Sequence, residues 1–216
     1  MNKKMKDILQ AALTEFSQTS FDDASINTVI RTSNTSKGTF YHYFQDKVDL
    51  YVQLMKQATE TKWRFIQEEM MSQGKTTPPA SIFDLFKQQA LYGIQFANQY
   101  PQYHELGKRF SNEMGNNIYE VVIQQLVMDQ KENEMLESLF AQAYQKGEFN
   151  TQFSLEFIKR TVLFLFNRFD EIYFHPENSQ EEKLDYLNNL IEFMKFGFGE
   201  QTQDGKRNSA LNDNKK

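Results

Sequence analysis

Apolar residues recur at intervals of three and four positions from about residue 3 to about residue 199, which is the period of helices with one buried face. No segment has the alternation of every second residue that is typical of a half-buried β-strand. Prolines and glycines interrupt the pattern rarely, with only four and nine in the chain. We therefore predict an all-α protein with about ten helices.

Helix start and stop signals divide this pattern. Asp46 is predicted to cap a helix that reaches about Ser72, and residues 73–79 read as the clearest linker. Ser111 is predicted to cap a helix to about residue 129, and Thr151 to begin an apolar helix that ends near residue 174. The run 179–182, Ser-Gln-Glu-Glu, is a capping box for the last helix.

The first fifty residues have the pattern of a helix-turn-helix. A helix over residues 3–19 supplies one wall of a small core, and Ser25 caps a short second helix. Asn34 follows, and asparagine is the residue that best replaces glycine in the left-handed conformation that ends a helix. Ser36 then caps a second short helix, which runs to Phe44.

This second short helix combines core residues with side chains that suit DNA. Phe40 and Phe44 lie four apart on one face, which favours packing, and Gly38 leaves the backbone bare for a close approach. The other positions offer a cation, hydrogen-bond donors and rings to phosphates and base edges: Lys37, Thr39, Tyr41, His42 and Tyr43. Taken alone, residues 41–44 fit an ordinary core segment equally well, but the turn, the capped helix before it and Lys47 favour DNA binding.

On these residues the chain resembles the tetracycline-repressor (TetR) family of transcriptional regulators, specifically over residues 3–54 and only in architecture beyond them. The usual alanine-glycine-valine-serine before the recognition helix is Ser33-Asn34-Thr35-Ser36 here, and Ile30 stands where alanine is common. The resemblance implies that one set of residues contacts a double-stranded DNA operator. The set is Ser25, Asn27, Thr28, Ser36, Lys37, Gly38, Thr39, Tyr41, His42, Tyr43 and Lys47, the last at a phosphate.

The resemblance also implies a division of the chain and a mode of action. We expect a helix-turn-helix DNA-binding domain over residues 1–46, a larger helical ligand-binding and dimerisation domain over 47–200, and a polar, disordered tail over 201–216. The expected function is that of a repressor that a small molecule releases from a near-palindromic operator. Activation instead of repression stays open, because the sequence does not determine whether binding lowers or raises transcription.

The charge is unevenly distributed along the chain. The net charge is −5, yet residues 1–50 hold six Lys/Arg and six Asp/Glu and are neutral. The 18 Lys/Arg and 23 Asp/Glu of the remaining chain therefore account for all of the net negative charge. A DNA-facing module with few cations should release few counterions. The chain has no cysteine, which suits a reducing compartment, and no apolar run long enough for a membrane span. We therefore expect a soluble cytoplasmic protein without a membrane partner.

The last two helices are predicted to form a homodimer interface. An apolar stripe on the final helix supports this: Leu184, Leu187, Ile191, Met194 and Phe198. A monomer core is the alternative, but one helix-turn-helix reads too little DNA for useful specificity. The preceding helix carries a polar stripe that lies at this interface or lines a ligand cavity, of which we favour the interface: Glu156, Arg160, Asn167 and Glu171.

Aromatic residues are dense in the middle of the chain, and most are expected to be ordinary core. A gap among such rings would suit a small hydrophobic, flat or cationic molecule. The candidate ligand-binding residues are Trp63, Phe86, Phe96, Tyr103, Phe110, Tyr119 and Asn167. A ligand beside the far half of the helix that starts at Lys47 would tilt that helix and change the spacing of the two recognition helices.

Other classes of function find less support. The three histidines are isolated, and neither a phosphate-binding glycine loop nor a nucleophile elbow occurs, so we predict no catalytic residue, metal site or cofactor. An all-helical adaptor that binds only protein, without a small-molecule effector, is the alternative function. Such an adaptor would not need the combination of Lys37, Tyr41 and Lys47 on and beside one short helix.

Overall fold

The computed structural model describes residues 2–72, 79–126, 130–173 and 177–198, and within these ranges it contains ten α-helices and no strand. The all-α prediction is confirmed. The helices are α1 Lys3–Gln18, α2 Ile26–Thr32, α3 Lys37–Tyr43, α4 Lys47–Ser72, α5 Ile82–Gln99, α6 Pro101–Asn112, α7 Asn117–Leu126, α8 Gln130–Gln145, α9 Leu155–Tyr173 and α10 Gln180–Phe198.

Two predicted helix starts are wrong. Ser111 lies inside α6, where its hydroxyl donates to the Gly107 carbonyl 3.1 Å away, and α7 begins only at residue 117. The helix expected from Thr151 begins at Leu155 instead. Its cap is Ser154, whose hydroxyl accepts a hydrogen bond from the amide of Phe157 at 3.2 Å.

The capping box before α10 is confirmed. The amide of Glu182 donates to the Ser179 hydroxyl at 3.2 Å, and the amide of Ser179 donates to the Glu182 carboxylate at 2.7 Å. The Asp46 cap of α4 is confirmed as well, since the Asp49 amide donates to its carboxylate at 2.9 Å. Most of the predicted linker, residues 73–78, and the predicted tail, residues 201–216, lie outside the described residues.

The chain folds as two compact units, neither of which is continuous in sequence. The first comprises residues 1–76 and 92–130, and the second comprises residues 77–91 and 131–216. The helix-turn-helix therefore shares a unit with α4, α6 and α7. The domain boundary proposed after residue 46 stays a prediction about function.

The core of the first unit joins the helix-turn-helix to α6 and α7. Its centre is Tyr51 on α4, whose ring lies 4.8 Å from that of Phe16 on α1 and 6.5 Å from that of Phe110 on α6. Arg109 on α6 donates from Nε to the Ser17 carbonyl at 2.8 Å, which ties α6 to the end of α1. The first helix of the DNA-binding module thus rests directly on α6.

The second unit is built around phenylalanine rings and the α9–α10 pair. Phe86 on α5 lies 5.5 Å from Phe140 on α8, which in turn stacks on Phe149 at 6.1 Å. Leu187 and Met194 on α10 are completely buried in the single chain. None of the helices in the described ranges is long and apolar enough to cross a membrane.

Candidate DNA-binding site

The turn between α2 and α3 has the geometry that the sequence predicts. Asn34 has a φ of 51°, so it adopts the left-handed conformation. Its amide donates to the carbonyl of Arg31, and the next amide, that of Thr35, donates to the carbonyl of Ile30, both at 3.2 Å. This pair of hydrogen bonds is the Schellman motif, which ends α2 and redirects the chain into α3.

The recognition helix α3 is fixed by its cap and by two buried rings. Ser36 accepts a hydrogen bond from the Thr39 amide at 3.1 Å, and its hydroxyl also pairs with the Thr39 hydroxyl at 2.9 Å. Phe40 and Phe44 are buried with ring centroids 5.6 Å apart, as their spacing predicts. Because both anchors lie on one side, the remaining side of this seven-residue helix faces solvent.

The solvent side of α3 carries the predicted DNA-binding residues. Lys37, Gly38 and His42 are exposed, and Tyr41 has 59% of its surface accessible, unusual for so large a ring. A Cβ built on Gly38 would meet only the Ser36 hydroxyl, at 3.9 Å. No contact among the described residues therefore requires a glycine at this position.

The predicted contacts on α2 lie beside this surface. Asn27 is exposed and Thr28 is partly exposed. Ser25 has a structural role as well, because its hydroxyl caps α2 by accepting from the Thr28 amide at 3.4 Å and its amide donates to Glu15 at 2.9 Å. Its side chain is thus oriented before any DNA arrives.

Tyr43, the last residue of α3, is held by the start of the chain. The side-chain NH2 of Asn2 donates to the Tyr43 hydroxyl at 2.5 Å, and the side-chain oxygen of Asn2 caps α1 by accepting from the Met5 amide at 3.3 Å. The phenol is also packed edge-on against His42, with ring centroids 4.9 Å apart. Sequence reasoning missed Asn2, for which the only signal was an asparagine directly before a helix.

Lys47 has hydrogen-bond partners inside its own domain. Its ammonium donates to the carbonyls of Asp22 at 3.0 Å and Ala24 at 3.1 Å, and lies 4.8 Å from the centre of the Phe21 ring. An ammonium has three N–H donors, so two of them hold the loop between α1 and α2. In the free protein Lys47 thus holds this loop, and its expected contact with a phosphate stays a prediction.

The candidate ligand-binding residues do not form one group. Phe96 and Tyr103 belong to a ring cluster in the first unit, whereas Phe86 belongs to the second unit. Phe110 stacks on Tyr119 at 4.8 Å as part of the core that supports the DNA-binding helices. Trp63 is 40% exposed on α4. The side chain of Asn167 lies outside the described residues.

The ring cluster of the first unit contains an unpaired polar atom. Phe65 on α4 lies 5.7 Å from Phe96, and Tyr100 and Tyr103 extend the row. Gln57, two turns earlier on α4, donates to the Tyr103 hydroxyl at 3.0 Å, while its Oε1 is buried without a partner among the described residues. Turning the amide over would only exchange which end is unpaired. Sequence reasoning missed Gln57, because a single glutamine gives no signal.

The Tyr103 hydroxyl beside it stays a neutral donor and acceptor. Burial raises the pKa of Tyr103 above the ordinary value of 10.0, although hydrogen bonds from Thr61 and Gln57 and the charge of Arg64 oppose the rise. The α4–α6 contact therefore presents an uncharged hydroxyl and an unpaired amide oxygen next to flat rings. Elsewhere in the described ranges, no three Asp, Glu or His side chains are placed to hold a metal ion.

The predicted dimer stripe on α10 is revised. Leu187, Ile191, Met194 and Phe198 pack inside their own chain and cannot face a partner. Leu184 is exposed, and so is a different stripe that includes Phe193 at 63% and Phe196 at 65%. The apolar pattern encircles most of α10, so periodicity alone selected the inward side.

The polar stripe predicted on α9 is neutralised within the protomer where it is described. Arg160 and Lys159 form ion pairs with Glu156 at 2.6 and 2.9 Å. These hydrogen bonds, first from Lys159 and then from Arg160, lower the pKa of the exposed Glu156 carboxyl. The same side of the helix also carries exposed Phe157 and Phe164. The side chains of Asn167 and Glu171 lie outside the described residues.

Comparison with known proteins agrees with this geometry. Residues 8–54 match the family model of bacterial regulatory proteins of the tetR family. The fold is similar to that of a TetR family transcriptional regulator from Chloroflexus aurantiacus, with a TM-score of 0.70, 20% identity and coverage of 92% of this chain and 94% of that chain.

Two further structures have similar folds. A TetR family regulator from Shewanella sp. PV-4 has a TM-score of 0.69 at 18% identity, covering 93% of this chain and 100% of that one. The ketosteroid transcriptional regulator KstR2 of Mycobacterium tuberculosis has a TM-score of 0.61 at 9% identity, covering 93% of this chain and 97% of that chain. None of the curated proteins matches the chain.

The matched segment begins in α1 and ends in α4, so it contains the whole helix-turn-helix whose caps, turn and exposed face are described above. Members of this family are transcriptional regulators rather than enzymes. The resemblance inferred from the sequence is confirmed over residues 8–54, which match the DNA-binding, helix-turn-helix segment of TetR family transcriptional regulators.

Proposed function

We propose that the protein is a homodimeric repressor that binds a near-palindromic operator and is released from it by a small apolar or aromatic molecule. The observation that carries this proposal is the solvent side of α3, where a cation, donors and an exposed ring surround a bare glycine. Two such helices would enter successive major grooves about one helical turn, roughly 34–36 Å, apart.

The DNA contacts divide by chemistry. Tyr41 and Thr39 are suited to base edges, since Tyr41 is freely exposed and the Thr39 hydroxyl is oriented by Ser36. Lys37, Tyr43 and the α2 residues Asn27 and Thr28 are suited to phosphates, which fix the register of the protein on the duplex. Lys47 supports DNA binding indirectly, by holding the loop before α2.

The exposed aromatic residues of α9 and α10 support dimerisation. Phe157 and Phe164 are seven residues apart on α9, and Tyr186, Phe193 and Phe196 recur on one side of α10. A contiguous exposed apolar face of this kind is typical of a protein–protein interface. We assign it to a second copy of the chain, because a palindromic operator requires a two-fold partner.

The effector is proposed to bind between α4 and α6. The rings of Phe65, Phe96 and Tyr100 suit a flat apolar body, and the unpaired Gln57 oxygen suits a ligand N–H or O–H donor. An unpaired buried oxygen is unfavourable, so a ligand that satisfied it would gain that energy on binding. The same helix α4 contains Lys47 and Tyr51, which contact the helix-turn-helix.

Operator selection tests the DNA-binding part of the proposal. The full-length protein would be incubated with fragments of its own genome, and retained fragments would be footprinted. We expect an inverted repeat protected on both half-sites and a dimer by light scattering. A monomer that protects one asymmetric site would refute the proposed assembly.

A ligand screen tests the effector part. Flat apolar compounds with a hydrogen-bond donor would be screened by Trp63 fluorescence and then by operator release. The Gln57→Leu variant should keep its operator affinity but lose the response to any hit. A hit that acts equally well on this variant would place the effector site elsewhere.

A further inference from the structure

We propose that Lys3, Lys4 and Lys6, at the start of α1, form a second DNA-contact surface that binds backbone phosphates beside the recognition helix. All three side chains are exposed. The inference rests on the proposed operator binding and adds residues that neither the helix-turn-helix pattern nor the family resemblance supplied.

The position of these lysines follows from one hydrogen bond. Asn2, which caps α1, donates to the hydroxyl of Tyr43, the last residue of α3. The start of α1 is therefore in direct side-chain contact with the end of the recognition helix. A duplex seated on α3 that reaches Tyr43 also brings its phosphates close to this turn, within the span of a four-carbon lysine stem.

The distribution of cations supports the same conclusion. Residues 1–50 contain six Lys/Arg, of which three are these lysines. The others are Arg31, Lys37 and Lys47, and two donors of Lys47 are already used inside the domain. Without the lysines of α1, each module would present only Arg31 and Lys37 as unengaged cations to a polyanion. Phosphate neutralisation therefore depends mainly on the start of α1.

The placement is also unfavourable for the helix itself. A helix N-terminus carries a partial positive charge, so cations there destabilise the helix and carboxylates stabilise it. The first turn of α1 has no acidic residue and holds this cluster of lysines instead. The nearest acid in sequence is the exposed Asp7, and no ion pair links it to these lysines within the described ranges. A departure of this kind from local preference is expected where function requires it.

Salt dependence of binding tests the proposal without knowledge of the operator, because phosphate contacts are independent of sequence. The full-length K3Q/K4Q/K6Q variant would be titrated by fluorescence anisotropy against a labelled mixed-sequence duplex between about 50 and 200 mM KCl. The control K87Q/K146Q/K195Q replaces three exposed lysines of the second unit and makes the same change in net charge.

We expect the slope of log affinity against log salt to become shallower by about 2.7 per protomer, or about 0.9 for each lost phosphate contact. Over this fourfold range of salt, the wild type should then lose about fortyfold more affinity than the variant for each protomer that contacts the duplex. The control should keep the wild-type slope. K3R/K4R/K6R retains the charges and should also keep it, which separates charge from folding.

The melting temperature gives an independent check. The K3Q/K4Q/K6Q variant should melt at the wild-type temperature or slightly above it, because cations leave the N-terminus of a helix. A variant with the same salt slope as the control would overturn the proposal and leave the proposed operator binding intact. A failure of the arginine variant to keep the slope would overturn it too. A wild-type protein that binds no duplex would refute the proposed function, and this inference with it.

Discussion

Gly38 offers a test in which stability and function should change in opposite directions. It is the second residue of α3, its φ is not positive, and a Cβ there would lie 3.9 Å from the Ser36 hydroxyl with no other atom within 4 Å. Alanine therefore fits the free protein without strain. Since glycine costs a helix about 0.5–1 kcal/mol relative to alanine, Gly38→Ala should stabilise the protein by about that amount.

The effect on DNA binding should be the reverse. If a phosphate or sugar lies against the Gly38 backbone, the added methyl group occupies that space, and overpacking of a close contact costs about 1–3 kcal/mol. The affinity should then fall about 5- to 150-fold at constant salt. We expect the loss on specific and mixed-sequence duplexes alike, because the contact is to the DNA backbone.

Thermal melting and anisotropy titration measure the two effects on the same sample. For a chain of this length, the melting temperature should rise by about 1–4 °C. Gly107→Ala is the matched control, since it lies inside α6 with nothing within 4 Å of its Cβ and should stabilise without affecting DNA. A Gly38→Ala protein that is more stable yet binds DNA with wild-type affinity would refute the close approach. A less stable one would show that α3 itself needs the glycine.

Three further predictions concern Lys47, the α9–α10 face and the cap of α10. Lys47→Gln should lower the free energy of unfolding by about 1–2 kcal/mol in denaturant titrations, because two charged hydrogen bonds are lost. Unchanged stability, together with a shallower dependence of DNA affinity on salt, would instead support a contact between Lys47 and a phosphate. Phe164→Glu with Phe193→Glu should give a folded monomer by light scattering, with operator affinity reduced about a hundredfold or more; a persistent dimer would exclude this face. Hydrogen bonds from the Ser179 backbone and side chain lower the pKa of Glu182, so its stabilisation is complete above the ordinary value of 4.5 and is lost as the pH falls through the lowered pKa. Glu182→Ala should therefore melt below the wild type at pH 7, with a difference that vanishes in acid; a constant difference would contradict the role of the charge.

Local chemistry explains which parts of the structure could be predicted from the sequence. The Schellman turn at Asn34, the cap at Ser36 and the capping box at residues 179–182 each depend on side chains within six residues of one another. Their geometry is the same in any protein that contains the pattern. The helix-turn-helix was therefore predictable in its turn, its buried rings and its exposed side.

Partners distant in sequence explain the revisions. Lys47 finds its acceptors 23 and 25 residues earlier, and Gln57 finds Tyr103 46 residues later, so no local pattern reports either contact. Helix α10 is apolar around most of its circumference, and periodicity cannot decide which side packs on α9 and which stays exposed. Only the folded chain separates the buried Met194 from the exposed Phe193 beside it.

The packing of the first unit bears on how a ligand could reach DNA. The sequence suggested that α4 alone, about 39 Å long for its 26 residues, acts as a lever. In the fold, α6 also contacts the DNA-binding module, through the hydrogen bond from Arg109 to the Ser17 carbonyl and through Phe110 on Tyr51. Tyr103, which holds Gln57, lies two turns before Arg109 on the same helix. A ligand that separated Gln57 from Tyr103 would therefore shift both α4 and α6. The position of α1 depends on both of these helices. A ligand preference of about 1–3 kcal/mol for the separated arrangement is enough for a 5- to 150-fold change in operator affinity.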